Sequence, residues 1–239
     1  MVVTTFLRIV LAVTASLVSA WPVCAFAADP AADRGLLFPT AETLPRGRWS
    51  VTTTDAMLWE TTYAFNDSMQ ATVVSSIIPP GGALVLGLKW RVWQDDNTAV
   101  TAIAGLGGGL DITTEWRVLT PSLAVAASRC LPQTCKLRIH GFVMASAFIS
   151  TRGSDELGVA GGSLDYQIGR HVKLMVGAYA TAVAPEPVMI GLLIPYGIRI
   201  AWPHFAVDFG AALPVGLKGM AFPTLFLWGT PLVSLTAGW

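Results

Sequence analysis

Charge is scarce in this chain. Asp, Glu, Lys and Arg make up 13% of its 239 residues, whereas about 25% is usual for a soluble domain. The 15 basic residues balance the 15 acidic ones, and the sequence has no Lys/Arg cluster of the kind that attracts a phosphate backbone. Nucleic acid is therefore excluded as a partner. The apolar content of 53% indicates a membrane environment instead.

Catalytic and metal-binding motifs are also lacking. The three histidines, His140, His171 and His204, are dispersed, and neither a Gly-x-Ser-x-Gly elbow nor a phosphate-binding Walker loop occurs. The glycine-rich stretch at 105–111 has no lysine after it and fits a strand that is crowded by its neighbours. The sequence therefore predicts no enzyme, no metal and no cofactor. A hydrolase that uses Ser, His and an acid such as Asp208 near one rim remains an alternative.

The N-terminus has the features of an export signal. Arg8 precedes an apolar run that ends in Ala25-Phe26-Ala27, so residues 1–27 are predicted to be a signal peptide cleaved before Ala28. An uncleaved anchor helix is the alternative. Cleavage leaves Cys130 and Cys135 as the remaining cysteines, and an isolated pair in an exported chain predicts a disulfide bond.

Residues 28–46 contain three prolines and no sustained periodicity. We interpret them as a linker or plug segment that starts in the periplasm. From residue 47 to residue 239 the pattern changes to short runs in which apolar and polar residues alternate, with Gly, Pro, Asn or Asp between the runs.

The alternation predicts a closed barrel. Leu84, Leu86 and Leu88 share one face of a run whose other face carries Lys89 and Arg91. Because charges are few and lie singly among apolar neighbours, we expect the apolar face to contact lipid and the charged face to line a lumen. Backbone polar groups in lipid must all be paired, so the sheet has to close on itself. The fold class is therefore all-β, a closed antiparallel transmembrane β-barrel.

Twelve strands are predicted, an even number as in bacterial single-chain barrels. Their approximate ranges are 48–55, 57–65, 68–78, 83–93, 98–110, 114–127, 137–149, 157–168, 171–183, 188–202, 205–215 and 222–238. Because only Ala56 separates the first two runs, ten strands is the alternative. A helical membrane protein is a second alternative, since residues 220–239 carry no charge.

Several stretches resemble bacterial outer-membrane β-barrels of the small, porin-like kind. They are the export signal, "FPTAETLPRGRW", "YAFNDSMQAT" and the C-terminal "LVSLTAGW". The resemblance implies the outer membrane of a Gram-negative bacterium. It also implies that the last strand is an assembly signal for the barrel insertion machinery, through Val233, Leu235, Ala237 and Trp239. Pro231 departs from the pattern because proline cannot donate to a strand ladder.

The alternation assigns a set of charged residues to the lumen. They are Lys89, Arg91, Glu115, Arg117, Arg138, Asp165, Lys173, Arg199 and Asp208. In a pore they would set solute preference, whereas in a narrow barrel they would form internal salt bridges. Most of the tryptophans are predicted to lie at the membrane interfaces, namely Trp49, Trp59, Trp90, Trp93, Trp116, Trp202, Trp228 and Trp239. The predicted function is a passive pore for small solutes or a structural membrane protein.

Overall fold

The computed structural model describes residues 29–55, 58–78, 81–111, 116–131, 135–150, 153–184, 189–215 and 230–239. Its strands are β1 (Trp49–Thr54), β2 (Leu58–Asn66), β3 (Met69–Ile78), β4 (Gly81–Gln94), β5 (Thr98–Asp111), β6 (Trp116–Leu131), β7 (Leu137–Ser150), β8 (Gly153–Gln167), β9 (Val172–Ala184), β10 (Met189–Trp202), β11 (Phe205–Val215) and β12 (Thr230–Gly238). The prediction of twelve strands is confirmed, because β1 and β2 are separate. Residues 222–229, which were predicted to start the last strand, lie outside the described residues.

Every strand pairs antiparallel with its sequence neighbours, and β12 pairs with β1, so the sheet is a closed barrel. At the junction the backbone N–H of Trp49 donates to the carbonyl oxygen of Trp239 at 2.9 Å, and the reverse bond measures 3.1 Å. The chain can end in a strand because this pairing leaves it no open edge. Pro231 lies opposite Ala211 of β11, whereas β1 pairs with β12 only as far as Ser234. The proline therefore lies where β12 has no described partner in β1.

The barrel has two different ends. At one, which we call the turn end, tight turns join the strand pairs β2–β3, β4–β5, β8–β9 and β10–β11, and Trp49 and Trp239 lie there too. At the opposite, far end, β1 leads into β2 and β11 leads towards β12. No helix long and apolar enough to cross a membrane occurs in the described part of the chain.

The two faces of the wall differ as the alternation predicts. Outward-facing leucines such as Leu84, Leu86 and Leu123 are 50%, 52% and 69% exposed, which is unusual for large apolar side chains in water. The inward face carries buried polar residues, including Thr62, Gln70 and Arg199.

Residues 29–47 form a hairpin inside the turn-end half of the barrel, and we call them the N-terminal hairpin. Arg34 and Pro39 form an antiparallel bridge, the Gly35 N–H donates to the Phe38 oxygen at 2.8 Å, and the Thr40 N–H donates to the Asp33 oxygen at 3.0 Å. Its tip reaches the middle of the lumen, where the ring of Phe38 contacts wall residues. The chain then returns to the turn end and enters β1.

Gly161 of β8 leaves room in the wall for a ring that contacts the hairpin tip. A Cβ atom on Gly161 would lie 2.1 Å from the Ala178 carbonyl oxygen and 2.8 Å from the ring of Tyr179. Because no side chain occupies this position, the Tyr179 ring can lie flat against the wall. The same ring contacts Phe38, with 4.4 Å between the ring centroids.

Candidate functional site in the barrel lumen

The structure brings most of the predicted lumen charges together in the turn-end half of the barrel. Lys89, Arg138, Asp165, Lys173, Arg199 and Asp208 all lie there on inward-facing positions of the wall. Arg91 lies nearer the turn, where its guanidinium donates to Thr43 and to Gln94. Glu115 and the side chain of Arg117 lie outside the described part of the structure, so their assignment to the lumen stays a prediction.

Arg199 and Asp208 form the centre of this site. They are directly opposite each other on β10 and β11, and the guanidinium binds the carboxylate with two hydrogen bonds, Nε to Oδ1 at 2.6 Å and Nη2 to Oδ2 at 3.0 Å. Arg199 is 1% exposed, so its remaining donors need partners. The hairpin supplies them, because Nη1 donates to the carbonyl oxygens of Ala31 at 2.6 Å and Arg34 at 3.1 Å.

Arg34 of the hairpin joins the same carboxylate from the other side. Its Nη2 donates to Asp208 Oδ2 at 3.1 Å, to Ser234 Oγ at 2.5 Å and to Thr236 Oγ1 at 3.2 Å. Asp208 therefore binds one arginine from the wall and one from the hairpin. A carboxylate held in this way is stabilised by charge-assisted hydrogen bonds.

Asp29, at the start of the hairpin, binds the basic residues of the neighbouring strands. Its Oδ2 lies 2.6 Å from Lys173 Nζ and 3.7 Å from Arg199 Nη1. Burial alone would raise the pKa of Asp29, but attraction by Arg199 and Lys173, with the hydrogen bonds from Lys173 and the Ala31 N–H, lowers it more. The net result is a pKa lowered from 3.8 to about 2.

Two further wall residues hold the hairpin backbone. Lys89 Nζ donates to the carbonyl oxygen of Asp33 at 3.0 Å and to that of Glu42. The amide of Gln70 accepts from the Leu44 N–H at 3.0 Å and donates to Asp33 Oδ2 at 2.9 Å. Both side chains are buried, so the hairpin satisfies polar groups that the wall alone would leave unpaired.

The predicted disulfide bond between Cys130 and Cys135 is present at the turn between β6 and β7. Next to it, Arg138 Nη1 lies 2.8 Å from Glu42 Oε1 of the hairpin. Arg138 Nη2 also points at both sulfur atoms, at 3.4 and 3.6 Å. The returning arm of the hairpin is thus attached to the turn that the disulfide closes.

Three residues on consecutive strands have the side chains of a serine hydrolase triad. Ser128 Oγ lies 2.7 Å from His140 Nδ1, and His140 Nε2 lies 3.3 Å from Asp165 Oδ2. All three are buried, and the Ala41 N–H of the hairpin donates to Ser128 Oγ at 2.9 Å. The hydroxyl is therefore bound to the hairpin in this structure.

An aromatic layer lies beneath the polar site. The Phe38 ring stacks on Phe142, with centroids 5.2 Å apart, and packs against Tyr179 on the opposite side. Val159 and Ala126 belong to the same buried cluster. Phe38 thereby packs the tip of the hairpin against aromatic rings of the wall.

The hairpin and the wall have complementary charges. The hairpin contributes Asp29, Asp33 and Glu42, and each contacts or lies beside a basic or amide side chain of the wall. The alternation could identify the wall residues, but not these partners, because residues 28–46 have no periodicity. The sequence pattern also did not assign His140, Gln70 and Glu60 to the lumen. Their inward position on β7, β3 and β2 follows from the same alternation once the strand register is known.

A cavity of about 390 Å³ lies at the turn end, above the hairpin. Its lining includes Asp29, Glu42, Arg48, Asp96, Lys173 and Trp239. Among the described residues, no group of three His, Cys, Asp or Glu side chains is placed to bind a metal ion. The site thus consists of ion pairs and hydrogen bonds between the wall and the N-terminal hairpin.

No protein-family model and no curated protein matches this chain. Among solved structures it is similar to the KdgM porin, with a TM-score of 0.48 and 7% identity over 80% of this chain and 95% of that one. For the NanC porin the TM-score is 0.49 at 10% identity, over 80% and 97% of the chains. For a bacterial polysaccharide outer membrane secretin it is 0.50 at 10% identity, over 83% and 78%. At these identities the likeness shows the fold alone, and that fold is the β-barrel of bacterial outer-membrane proteins.

Proposed function

We propose that this protein is an outer-membrane pore for small solutes whose N-terminal hairpin keeps it closed. The observation that carries the proposal is the insertion of residues 29–47 into the lumen, where Arg199, Asp208, Lys89 and Gln70 bind them. A purely structural barrel needs no such inserted segment, since wall side chains can fill a narrow lumen by themselves.

The outer surface supports a membrane location. At the turn end, aromatic residues form an outward-facing ring that includes Trp49, Trp90, Trp202, Phe205 and Trp239, which are 40–58% exposed. Amphipathic rings in this position settle at the depth of lipid headgroups. Short turns are typical of the periplasmic side, so the turn end and the hairpin face the periplasm.

The first experiment tests the membrane barrel itself. We expect the protein in the outer-membrane fraction to migrate differently on a gel before and after boiling, because a closed barrel stays folded in detergent until it is heated. Recovery from the inner membrane, with no shift on boiling, would contradict the location and the barrel together.

The second experiment tests closure by the hairpin. In planar bilayers we expect the wild-type protein to be closed for most of the recording and a variant without residues 29–46 to be continuously open. As a matched control, Cys replaces Ala41 and Ser128, whose backbone N–H and Oγ are 2.9 Å apart, in a Cys130→Ser/Cys135→Ser background. This disulfide should hold the pore closed, and a reductant should reverse the effect.

Equal conductance of the wild-type, deletion and tethered proteins would contradict closure by the hairpin. If all three stay closed although each shows the shift on boiling, the structural alternative is favoured instead of a pore.

A hydrolase is the second candidate, and the contacts among Ser128, His140 and Asp165 favour it. In this reading the imidazole takes the proton of the Ser128 hydroxyl and the carboxylate orients the ring, after the hairpin has left Ser128. A fluorophosphonate probe should then label the hairpin-deleted protein but not its Ser128→Ala variant. Absence of labelling in the deleted protein would exclude this function.

A further inference from the structure

We infer that the turn-end half of the lumen binds an acidic peptide, in the place that the N-terminal hairpin occupies when it is docked. The hairpin is then an internal ligand, and its contacts with the wall show which chemical groups the wall recognises. This solute class belongs to the proposed pore and therefore rests on the proposed function.

Two buried cations of the wall bind the main chain of the hairpin. Arg199 Nη1 donates to the carbonyl oxygens of Ala31 at 2.6 Å and Arg34 at 3.1 Å, and Lys89 Nζ donates to that of Asp33 at 3.0 Å. Every residue of a peptide carries a main-chain carbonyl group. These contacts therefore do not depend on the side chains of the hairpin, and another peptide can make them.

Two buried side chains of the wall accept hydrogen bonds from main-chain N–H groups. Gln70 Oε1 accepts from the Leu44 N–H at 3.0 Å, and Ser128 Oγ accepts from the Ala41 N–H at 2.9 Å. The wall thus has donors for carbonyl groups and acceptors for N–H groups. An amide main chain supplies both groups at a fixed spacing, and main-chain bonds of this kind give affinity with little dependence on sequence.

The charged side chains through which the hairpin binds the wall are acidic, except for that of Arg34. Asp29 Oδ2 lies 2.6 Å from Lys173 Nζ, and Glu42 Oε1 lies 2.8 Å from Arg138 Nη1. When the hairpin leaves, both cations lose these partners. The carboxylates of an incoming peptide are the groups that match them.

The absence of a basic side chain in the incoming peptide would not leave Asp208 unpaired. Arg34 of the hairpin binds this carboxylate at 3.1 Å. Arg199 of the wall binds it as well, through Nε at 2.6 Å and Nη2 at 3.0 Å. Because the wall itself supplies a cation for Asp208, a solute with acidic side chains alone fits the site.

The cavity of about 390 Å³ at the turn end gives a peptide access to this site. Its lining includes Asp29 and Glu42 of the hairpin together with their partners Lys173 and Arg138. A carboxylate that enters the cavity can therefore compete for these two cations while the rest of the hairpin is still docked. The exchange can proceed one ion pair at a time.

The first measurement compares ligands on the full-length Asp29→Asn variant, whose hairpin supplies no carboxylate to Lys173. We expect it to bind a fluorescein-labelled peptide of four aspartates and one phenylalanine, measured by fluorescence anisotropy in a zwitterionic detergent. The phenylalanine is included because Phe142 and Tyr179 contact the ring of Phe38. The same peptide with lysines in place of the aspartates should not bind.

The matched depsipeptide, in which ester oxygens replace the N–H groups of the main chain, separates recognition of amides from attraction of charge. It should bind about tenfold more weakly than the peptide, the loss expected when two hydrogen bonds of ordinary net strength are not formed. Both ligands compete with the same hairpin, so this competition cancels in the ratio of their affinities.

The second measurement locates the bound peptide. The Ala41→Cys/Ser128→Cys protein, in the Cys130→Ser/Cys135→Ser background, should bind it only after a reductant has opened the tether. Ala41→Cys alone in that background is the matched control, and its binding should not depend on the reductant. Each variant must show the gel shift on boiling, so that a misfolded barrel is recognised.

Four results would overturn the inference. Equal affinity for the peptide and the depsipeptide would show that charge alone is recognised, as in binding of an acidic carbohydrate. Equal affinity for the lysine peptide would exclude selection of acidic side chains, and binding to the oxidised, tethered protein would place the site outside the lumen. The fourth is absence of binding to the Asp29→Asn variant. Conductance is measured separately, so a pore whose closure follows the tether but which binds no peptide would refute the peptide site alone.

Discussion

Arg199 shows how one buried cation connects the barrel wall to the N-terminal hairpin. Its Nε and Nη2 bind Asp208, while Nη1 donates to two hairpin carbonyl oxygens. The planar guanidinium can serve both partners because its donors point in fixed, divergent directions. The same side chain therefore contributes to the wall and to the position of the hairpin.

Arg199→Met should destabilise the barrel and loosen the hairpin. The substitution keeps much of the volume but leaves Asp208 buried with one cation fewer, and breaking a buried pair in this way costs about 3 kcal/mol or more. We expect a lower free energy of unfolding in urea and faster proteolysis within residues 29–47. Arg199→Lys is the matched control. Lysine keeps the positive charge but has one ammonium group, which cannot bind Asp208 and the hairpin carbonyl oxygens as the guanidinium does. The loss of unfolding free energy should therefore be smaller than in Arg199→Met. Losses of equal size in both variants would contradict the role of the guanidinium geometry.

Asp29 should make hairpin docking sensitive to acid. Its pKa is lowered to about 2 when the hairpin is docked, against 3.8 ordinarily. A lowered pKa contributes stability that is complete above pH 3.8 and is lost as the pH falls through 2. The contribution at neutral pH is about 2 kcal/mol. We expect the open probability of the pore to rise between pH 4 and pH 2.

Asp29→Asn separates this effect from that of the other acidic residues. The variant cannot titrate at this position, so it should be open more often at neutral pH and should lose the part of the pH response that belongs to Asp29. Identical pH profiles for the wild-type protein and the variant would show that Asp29 does not control docking.

At the scale of elements, the local alternation of apolar and polar residues predicts the strands but not the contacts that form the site. Alternation predicted β11 with its observed bounds, and it predicted β1 and β2 as separate strands although only Ala56 separated the two runs. It also placed Lys89 and Arg199 on the inner face. It could not show that both bind the N-terminal hairpin, because those contacts join residues 56 and 168 positions apart in the sequence. The hairpin itself has no alternation of apolar and polar residues from which its contacts could be predicted.

Trp239, the residue after β12, extends the pairing of β12 with β1 that closes the barrel. Trp239 exchanges two backbone hydrogen bonds with Trp49, and its ring belongs to the turn-end aromatic ring. Deletion of Trp239 should lower the yield of folded barrel, measured as the fraction that shifts on boiling, because both bonds and the ring are lost. Trp239→Phe keeps the backbone and an aromatic ring and should assemble normally. A deletion variant that assembles as well as Trp239→Phe would contradict the predicted assembly signal.

At the scale of the whole molecule, the hairpin changes the charge of the lumen. The described wall side chains that face inward at the turn-end half include Lys89, Arg138, Lys173 and Arg199, against Glu60, Asp165 and Asp208. The hairpin brings Asp29, Asp33 and Glu42 against Arg34 and Arg46. The docked state is thus close to neutral, and removal of the hairpin leaves basic side chains in excess.

The open pore should therefore prefer anions. With a tenfold gradient of potassium chloride across the bilayer, we expect the reversal potential of the protein without residues 29–46 to favour chloride. Lys89→Gln/Lys173→Gln should shift that potential towards zero, because these cations lose their hairpin partners when the pore is open. A cation preference that the double variant does not change would rule out control by the wall charges.

The position of the hairpin also bears on the order of assembly. It is synthesised before any strand, yet Arg34 binds Asp208, Ser234 and Thr236, which lie 174, 200 and 202 residues later. These residues reach their places only when β11 and β12 have joined the sheet. The contacts of Arg34 can therefore form only at the end of folding, so a barrel that has not yet closed holds the hairpin less firmly and leaves it more exposed to periplasmic proteases. Docking would then act as a checkpoint that protects completed barrels and leaves unfinished ones open to degradation.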